Sequence, residues 1–204
     1  DHLIFRKIYF KGVINKKFTI RKGQLSSSFN VSIPDMRLWS LDDPFLYKVE
    51  ASLDDDQVES YFGMRKVSVV NLPDSEFPYV ALNNKPIYLQ FALDQSYHQD
   101  GFYTFPTDQF MKEEIIRSKS IGLNGIRIHI KTEIPRKLYW ADKLGLLVVE
   151  DLPNSWGEPN KLMKAESEYT LRQMIKRDYN HPSIISWVIF NAVSYTHLRA
   201  HETY

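Results

Sequence analysis

The stretch 125–151, GIRIHIKTEIPRKLYWADKLGLLVVED, carries the reading that decides the fold. Gly125 to Ile130 is short and rich in β-branched residues, the pattern of a strand buried in a sheet. Pro135 is suited to the first turn of a helix, and Leu138, Ala141 and Leu144 recur along one face of it. Gly145 supplies the residue that ends a helix in the left-handed region. Leu146 to Glu150 is then a second apolar strand. A strand, a helix and another fully apolar strand in this order predict a parallel sheet, either doubly wound or a (β/α)-barrel.

The same alternation extends on both sides. Tyr79 to Leu82 and Pro86 to Phe91 flank Asn83-Asn84, a tight hairpin turn. Thr107 is placed to cap a helix carrying Phe110, Met111 and Ile115, closed by Gly122. A further helix spans 165–179, with Leu171, Met174 and Ile175 on one face. Asn180-His181-Pro182 is a turn, and Ser183 to Phe190 forms the last strand. No glycine-rich phosphate fingerprint follows any strand, which argues against nucleotide binding. Polar groups stand instead where the strands end: Asp94-Gln95, then Arg127 and His129 with Lys131 after them, then Glu150-Asp151, then Asn191. Four successive strands that deliver such groups at one end are what a barrel active site requires.

Residues 1–70 have a different period. Leu3–Phe10, Val13–Ile20, Ser28–Ile33, Phe45–Leu53, Val58–Phe62 and Lys66–Val70 are short segments separated by turn residues, many of them alternating apolar with polar. They predict an antiparallel β-sandwich. Trp39 and Tyr47 are expected in its core, and Gly63 at a turn or bulge with a special backbone angle.

Composition narrows the function classes. Hydrophobic residues make up 43% and aromatic residues 14% of 204, enough for a core and unusually rich in rings. The net charge is +1 with no long basic stretch, which argues against a nucleic-acid partner. There is no cysteine, so disulfides and thiolate metal sites are excluded. No run has the length of a membrane helix.

Several segments resemble glycoside hydrolase family 2, the β-galactosidase, β-glucuronidase and β-mannosidase family. Trp39-Ser40-Leu41-Asp42-Asp43-Pro44-Phe45-Leu46-Tyr47 and Phe62-Gly63-Met64-Arg65-Lys66 are similar to its immunoglobulin-like domain. Leu82-Asn83-Asn84-Lys85-Pro86, Ile121-Gly122-Leu123-Asn124-Gly125-Ile126-Arg127, the run from Tyr139 to Val148, and Asn180-His181-Pro182-Ser183-Ile184-Ile185-Ser186-Trp187 are similar to its barrel. The resemblance implies an immunoglobulin-like sandwich over 1–70, then over 71–191 the first half of a (β/α)8 TIM barrel, truncated after its fourth strand. It implies a retaining glycosidase acting on a carbohydrate; no cofactor is expected, no metal ligand stands among the candidate residues, and metal dependence is not legible. Homo-oligomerisation of a full-length enzyme stays open, and neither compartment nor sugar is legible.

In that family the acid/base Glu follows the Asn that ends the fourth strand. Here Ala192 stands at that position, and the nucleophile is expected beyond the chain. Residues 193–203 resemble translated sequencing-adapter sequence, so 192–204 are expected to be a non-native tail on an internal fragment. No catalytic carboxylate is therefore expected within the chain. The resemblance gives supporting roles to Arg127, which would hold the nucleophile, to Asn191, which would contact the sugar hydroxyl beside the reacting carbon, and to Asp151, which would line the pocket. Asp94-Gln95 replaces the family's Asn-x-His, and His129 and Lys131 replace a segment with a His four residues after the Arg. These four join the candidate site as this chain's own variants, with a core or surface role as the alternative for His129 and Lys131. Gln90 and Phe91 likewise stand where Arg and Gly are usual. A non-catalytic carbohydrate-binding or scaffold protein is the competing reading.

Overall fold

The computed structural model describes residues 2–9, 13–19, 23–24, 26–28, 30–53, 55–153 and 160–191, the first two of these as backbone alone. The expected tail 192–204 lies outside the described residues, as do Phe10, Gly12 and Ile20 at the first strand ends. The chain divides into two compact units, Asp1–Ile87 and Tyr88–Tyr204.

In the first unit, β1 (His2–Tyr9), β2 (Val13–Thr19), β3 (Tyr47–Leu53) and β4 (Asp56–Phe62) form an antiparallel sheet in the order β2-β1-β3-β4. A second antiparallel sheet joins β5 (Val67–Asn71), β6 (Pro78–Leu82) and β7 (Lys85–Pro86). Asn83 and Asn84 have φ of 53° and 64°, the left-handed pair that a two-residue hairpin turn demands and that Asn tolerates. Trp39 and Tyr47 are fully buried, and Tyr47 stacks on Phe62 with ring centroids 5.0 Å apart. The Tyr47 hydroxyl accepts the Arg37 N–H at 2.7 Å, so the ring is held at its polar tip as well. Two expectations fail here. The described part of 28–33 forms no strand, and Gly63 does not have a positive φ.

The second unit is a parallel sheet with β8 (Phe91–Asp94), β9 (Gly125–Ile128), β10 (Leu147–Asp151) and β11 (Ile184–Val188) side by side in chain order. The crossovers are α1 (Asp108–Ser120), α2 (Pro135–Leu144) and α3 (Lys161–Asp178). A doubly wound sheet reverses its strand order at one point; this one never reverses, as in a barrel. Ile126, Ile128, Val148 and Ile184 form one core cluster with Ile115 of α1 and with Leu138 and Ala141 of α2. Residues of the other parity, Arg127 among them, therefore face away from those two helices.

Local chemistry fixes the helix ends. The Thr107 side chain accepts the Phe110 N–H at 3.1 Å, and Asn160 accepts that of Met163 at 2.9 Å. Gly145 closes α2 at φ 74°. Gly125 lies against the Phe91 ring of the neighbouring strand, and a Cβ there would force that ring to move. The Asn180-His181-Pro182 turn is latched to α2, because Asp142 takes His181 Nδ1 at 2.5 Å on one oxygen and the Ser183 N–H at 2.9 Å on the other. Among the described residues, no helix is long and apolar enough to cross a membrane.

Candidate active site

Arg127 sits between Ile126 and Ile128, and burial of both isoleucines against the helices turns its side chain to the opposite face. Asp151 ends β10 with the parity of Val149, the register partner of Arg127, and so shares that face. The two meet as a bidentate pair, Arg127 Nε to Asp151 Oδ1 at 2.9 Å and Nη2 to Oδ2 at 2.8 Å. Arg127 Nη2 also donates to Asn191 Oδ1 at 2.7 Å. Asp151 is fully buried, while the arginine side chain keeps about a third of its surface exposed (32%). The Asp151 hydrogen bond raises the guanidinium above its ordinary value, against the opposing effect of burial.

Asp151 receives a third donor, the backbone N–H of Ile130 at 3.2 Å. Ile130 has φ 46°, a conformation strongly disfavoured for a β-branched residue. That backbone turn follows directly on β9. Strain of this kind persists only where the surroundings over-determine it, here by the carboxylate that captures the N–H. Beside this group, Gln95 Nε2 lies 3.0 Å from His129 Nδ1. With the amide donating, Nδ1 accepts and the ring proton is on Nε2. Arg127, Asp151, Asn191, Gln95 and His129 thus stand at the C-terminal ends of neighbouring parallel strands. Among the described residues no three His, Asp or Glu side chains converge as a metal site.

Residues 8–65 match the sequence profile of the glycosyl hydrolases family 2, and residues 74–202 match that family's TIM barrel domain. The chain belongs to glycosyl hydrolase family 2. It is 34% identical over 166 residues to a beta-galactosidase of Thermoanaerobacterium thermosulfurigenes, covering 78% of this chain and 22% of the relative. It is 27% identical to a beta-glucuronidase of Streptococcus agalactiae, covering 83% of this chain and 31% of the relative. The apo structure of Bacteroides uniformis beta-glucuronidase 3 is similar with a TM-score of 0.78 at 25% identity, covering 98% of this chain and 27% of that one. The chain thus spans between about a fifth and a third of these relatives, and its two units fit the family's sandwich and TIM barrel architecture.

Two of the residues expected in the candidate site are held elsewhere. Asp94 pairs in register with Ile128, on the helix side, where it accepts the Lys137 ammonium at 2.6 Å and the Ser96 N–H at 2.6 Å. Lys131 donates to the carbonyls of Ser96 and Tyr103, at 3.2 Å each, and lies 3.4 Å from Glu133. The left-handed turn at Ile130 breaks the strand's alternation, so Lys131 does not follow Arg127 and His129 onto the open face.

A buried ionic cluster behind the sheet was not anticipated. Lys137 is 1% exposed and is surrounded by Asp94 at 2.6 Å, Glu114 at 3.2 Å and Glu133 at 3.8 Å. Burial pulls its pKa down, but Asp94, Glu133 and Glu114 outweigh that and leave it raised. The Ser96 hydroxyl donates to Glu133 and accepts from Lys137. Its signal in the sequence was the spacing of Lys137 with Leu138 and Ala141, which places the lysine on the buried helix face. Glu150 lies on the same side. Burial pushes its carboxyl up to about 7, with Asp178 and Glu133 adding to the effect. A perturbed carboxyl marks a candidate acid, yet Glu150 pairs with Ile128 and so is turned away from Arg127.

Proposed function

We propose that this chain supplies the immunoglobulin-like sandwich, residues 1–70, and the opening half of the catalytic barrel, residues 71–191, of a retaining glycosidase that cleaves terminal β-glycosidic bonds. The observation that carries this reading is the Arg127–Asp151–Asn191 junction, which joins the ends of two strands to a residue three positions beyond a third, at the end of a parallel sheet where barrel active sites form. Arg127 spends its Nε and Nη2 protons on Asp151 and Asn191. Among the described residues, no bond occupies the two N–H groups of Nη1, which suit the carboxylate of a nucleophile. Asn191 would then meet a sugar hydroxyl, with the buried Asp151 holding Arg127 in place beneath it, while Gln95 and His129 complete the wall. The cited relatives are a beta-galactosidase and two beta-glucuronidases, which supports a β-glycoside substrate and leaves the sugar open between those classes.

A retaining mechanism needs two carboxyl groups about 5–5.5 Å apart, one nucleophile and one acid/base. Ala192 occupies the expected acid/base position. On this reading the 204-residue polypeptide alone is inactive, and catalysis needs a chain with Glu after Asn191 and a second carboxylate. Ala192 also favours the second reading, a carbohydrate-binding protein without catalysis. The decisive experiment expresses the reading frame with its native continuation after Asn191 and assays 4-nitrophenyl β-galactoside and β-glucuronide. Turnover by that protein, absent from the 204-residue polypeptide, supports the glycosidase. A folded continuation that binds sugar, turns over neither substrate and lacks Glu after Asn191 overturns it.

A further inference from the structure

We propose that the loop 95–106 is a built binding platform for an apolar, ring-bearing leaving group of the glycoside substrate; this rests on the glycosidase reading of the neighbouring site. The loop leaves the C-terminal end of β8, and its first residue, Gln95, is the one that meets His129. Its aromatic residues divide into two sets. His98 and Phe105 pack inward on Phe110 of α1, with centroids 4.8 Å and 6.1 Å away. Tyr97, Phe102 and Tyr103 point outward, 60%, 62% and 65% exposed. Tyr97 stands edge-on to both Phe102 at 6.0 Å and Tyr103 at 5.8 Å.

This display is held in place by the rest of the loop. His98 and Phe102 exchange a pair of backbone hydrogen bonds of 2.9 Å and 2.8 Å. The Thr104 N–H and hydroxyl both donate to the Gly101 carbonyl. Lys131 clamps the carbonyls of Ser96 and Tyr103 together, and its ammonium lies 5.6 Å from the Tyr103 ring centre. Ser96 and Phe102 adopt φ of 50° and 52°, conformations that cost free energy in non-glycine residues. Strained backbone held by a half-buried lysine clamp presents three exposed rings together, the organisation of a binding loop.

The occupant follows from position. With the sugar on Arg127 and Asn191, the group attached to its anomeric oxygen leaves toward the strand-end loops. Exposed aromatic edges and faces suit a flat apolar partner, an aryl ring or the C–H face of a second pyranose. Short alkyl groups offer neither.

The test uses the active enzyme carried through its native continuation. Aryl, disaccharide and methyl glycosides of the accepted sugar are compared for wild type, the Tyr97→Ala/Tyr103→Ala double variant and Tyr97→Phe. The expected result is a KM about ten-fold higher in the double variant for the ring-bearing substrates, with kcat and the methyl glycoside nearly unchanged. Tyr97→Phe should retain wild-type KM. A selective loss with the aryl or with the disaccharide substrate identifies which ring source the platform takes. Equal effects on all leaving groups, or none, overturn the platform while leaving the glycosidase reading intact. Loss of wild-type activity toward every glycoside would instead remove the glycosidase reading and the platform with it.

Discussion

Asp151 carries a buried charge whose compensation comes almost entirely from one guanidinium, so Arg127 has a structural role as well as a proposed catalytic one. Breaking one side of a buried ion pair costs more than removing both. Arg127→Ala is expected to destabilise the fold by about 3 kcal/mol, and Arg127→Ala/Asp151→Ala by clearly less; chemical denaturation measures both. In the active enzyme Arg127→Lys should lose kcat on the order of a hundred-fold with little change in KM, because an ammonium cannot reproduce the planar fork. An unchanged kcat would contradict its role. Glu150 gives a pH prediction. Its folded-state pKa of about 7 lies above the ordinary 4.5, so the folded chain keeps a proton that the unfolded chain has already released. Its contribution to stability is full below 4.5 and is lost as pH rises through 7. Glu150→Gln should flatten that fall and raise stability at pH 8 by roughly 3 kcal/mol. Equal pH slopes in thermal melts of variant and wild type would contradict it. At this scale strand alternation put Arg127 on one face with His129, and the polar end of the third strand supplied Asp151, the partner that Arg127 meets in the structure. It did not reveal which of the neighbours Asp94 and Gln95 faces the helices, or that the left-handed turn at Ile130 diverts Lys131.

Among the elements, the tie between α2 and the turn before β11 joins positions far apart in the chain. Asp142 receives His181 and the Ser183 N–H, and it is fully buried. Asp142→Ala removes both acceptors and leaves a buried N–H unsatisfied, with an expected cost of about 2–4 kcal/mol and earlier amide exchange through Ile184–Val188. Exchange in β11 indistinguishable from wild type would show that the turn holds itself. The α1 cap is a smaller device: Thr107→Ala should cost about 1 kcal/mol. Helix ends and the Asn83-Asn84 turn were legible because their signals are local. The failures in the first unit have a different cause. Residues 28–33 have strand composition but no described partner, and β5 pairs with β6 rather than with the sheet that precedes it. Pairing of this kind is set by tertiary contacts that no short window contains.

For the whole molecule, strand order is the informative quantity, because β8 to β11 lie side by side without reversal and the face that carries Arg127 is left open by α1 and α2. Among the described residues β8 and β11 each pair with a single strand of this sheet. Beyond β11, Ile189 and Phe190 are 46% and 67% exposed. Unpaired edges with apolar neighbours recruit other chains. The 204-residue polypeptide is expected to self-associate at micromolar concentration, seen by light scattering; a monodisperse monomer with slow exchange across β11 would contradict this. The central claim is that the Arg127–Asp151–Asn191 junction belongs to a retaining β-glycosidase. The most direct measurement is the proton NMR spectrum of the first sugar released by the enzyme carried through its native continuation, recorded before mutarotation. A β-anomer appearing first is the predicted result, and an α-anomer appearing first would contradict the account.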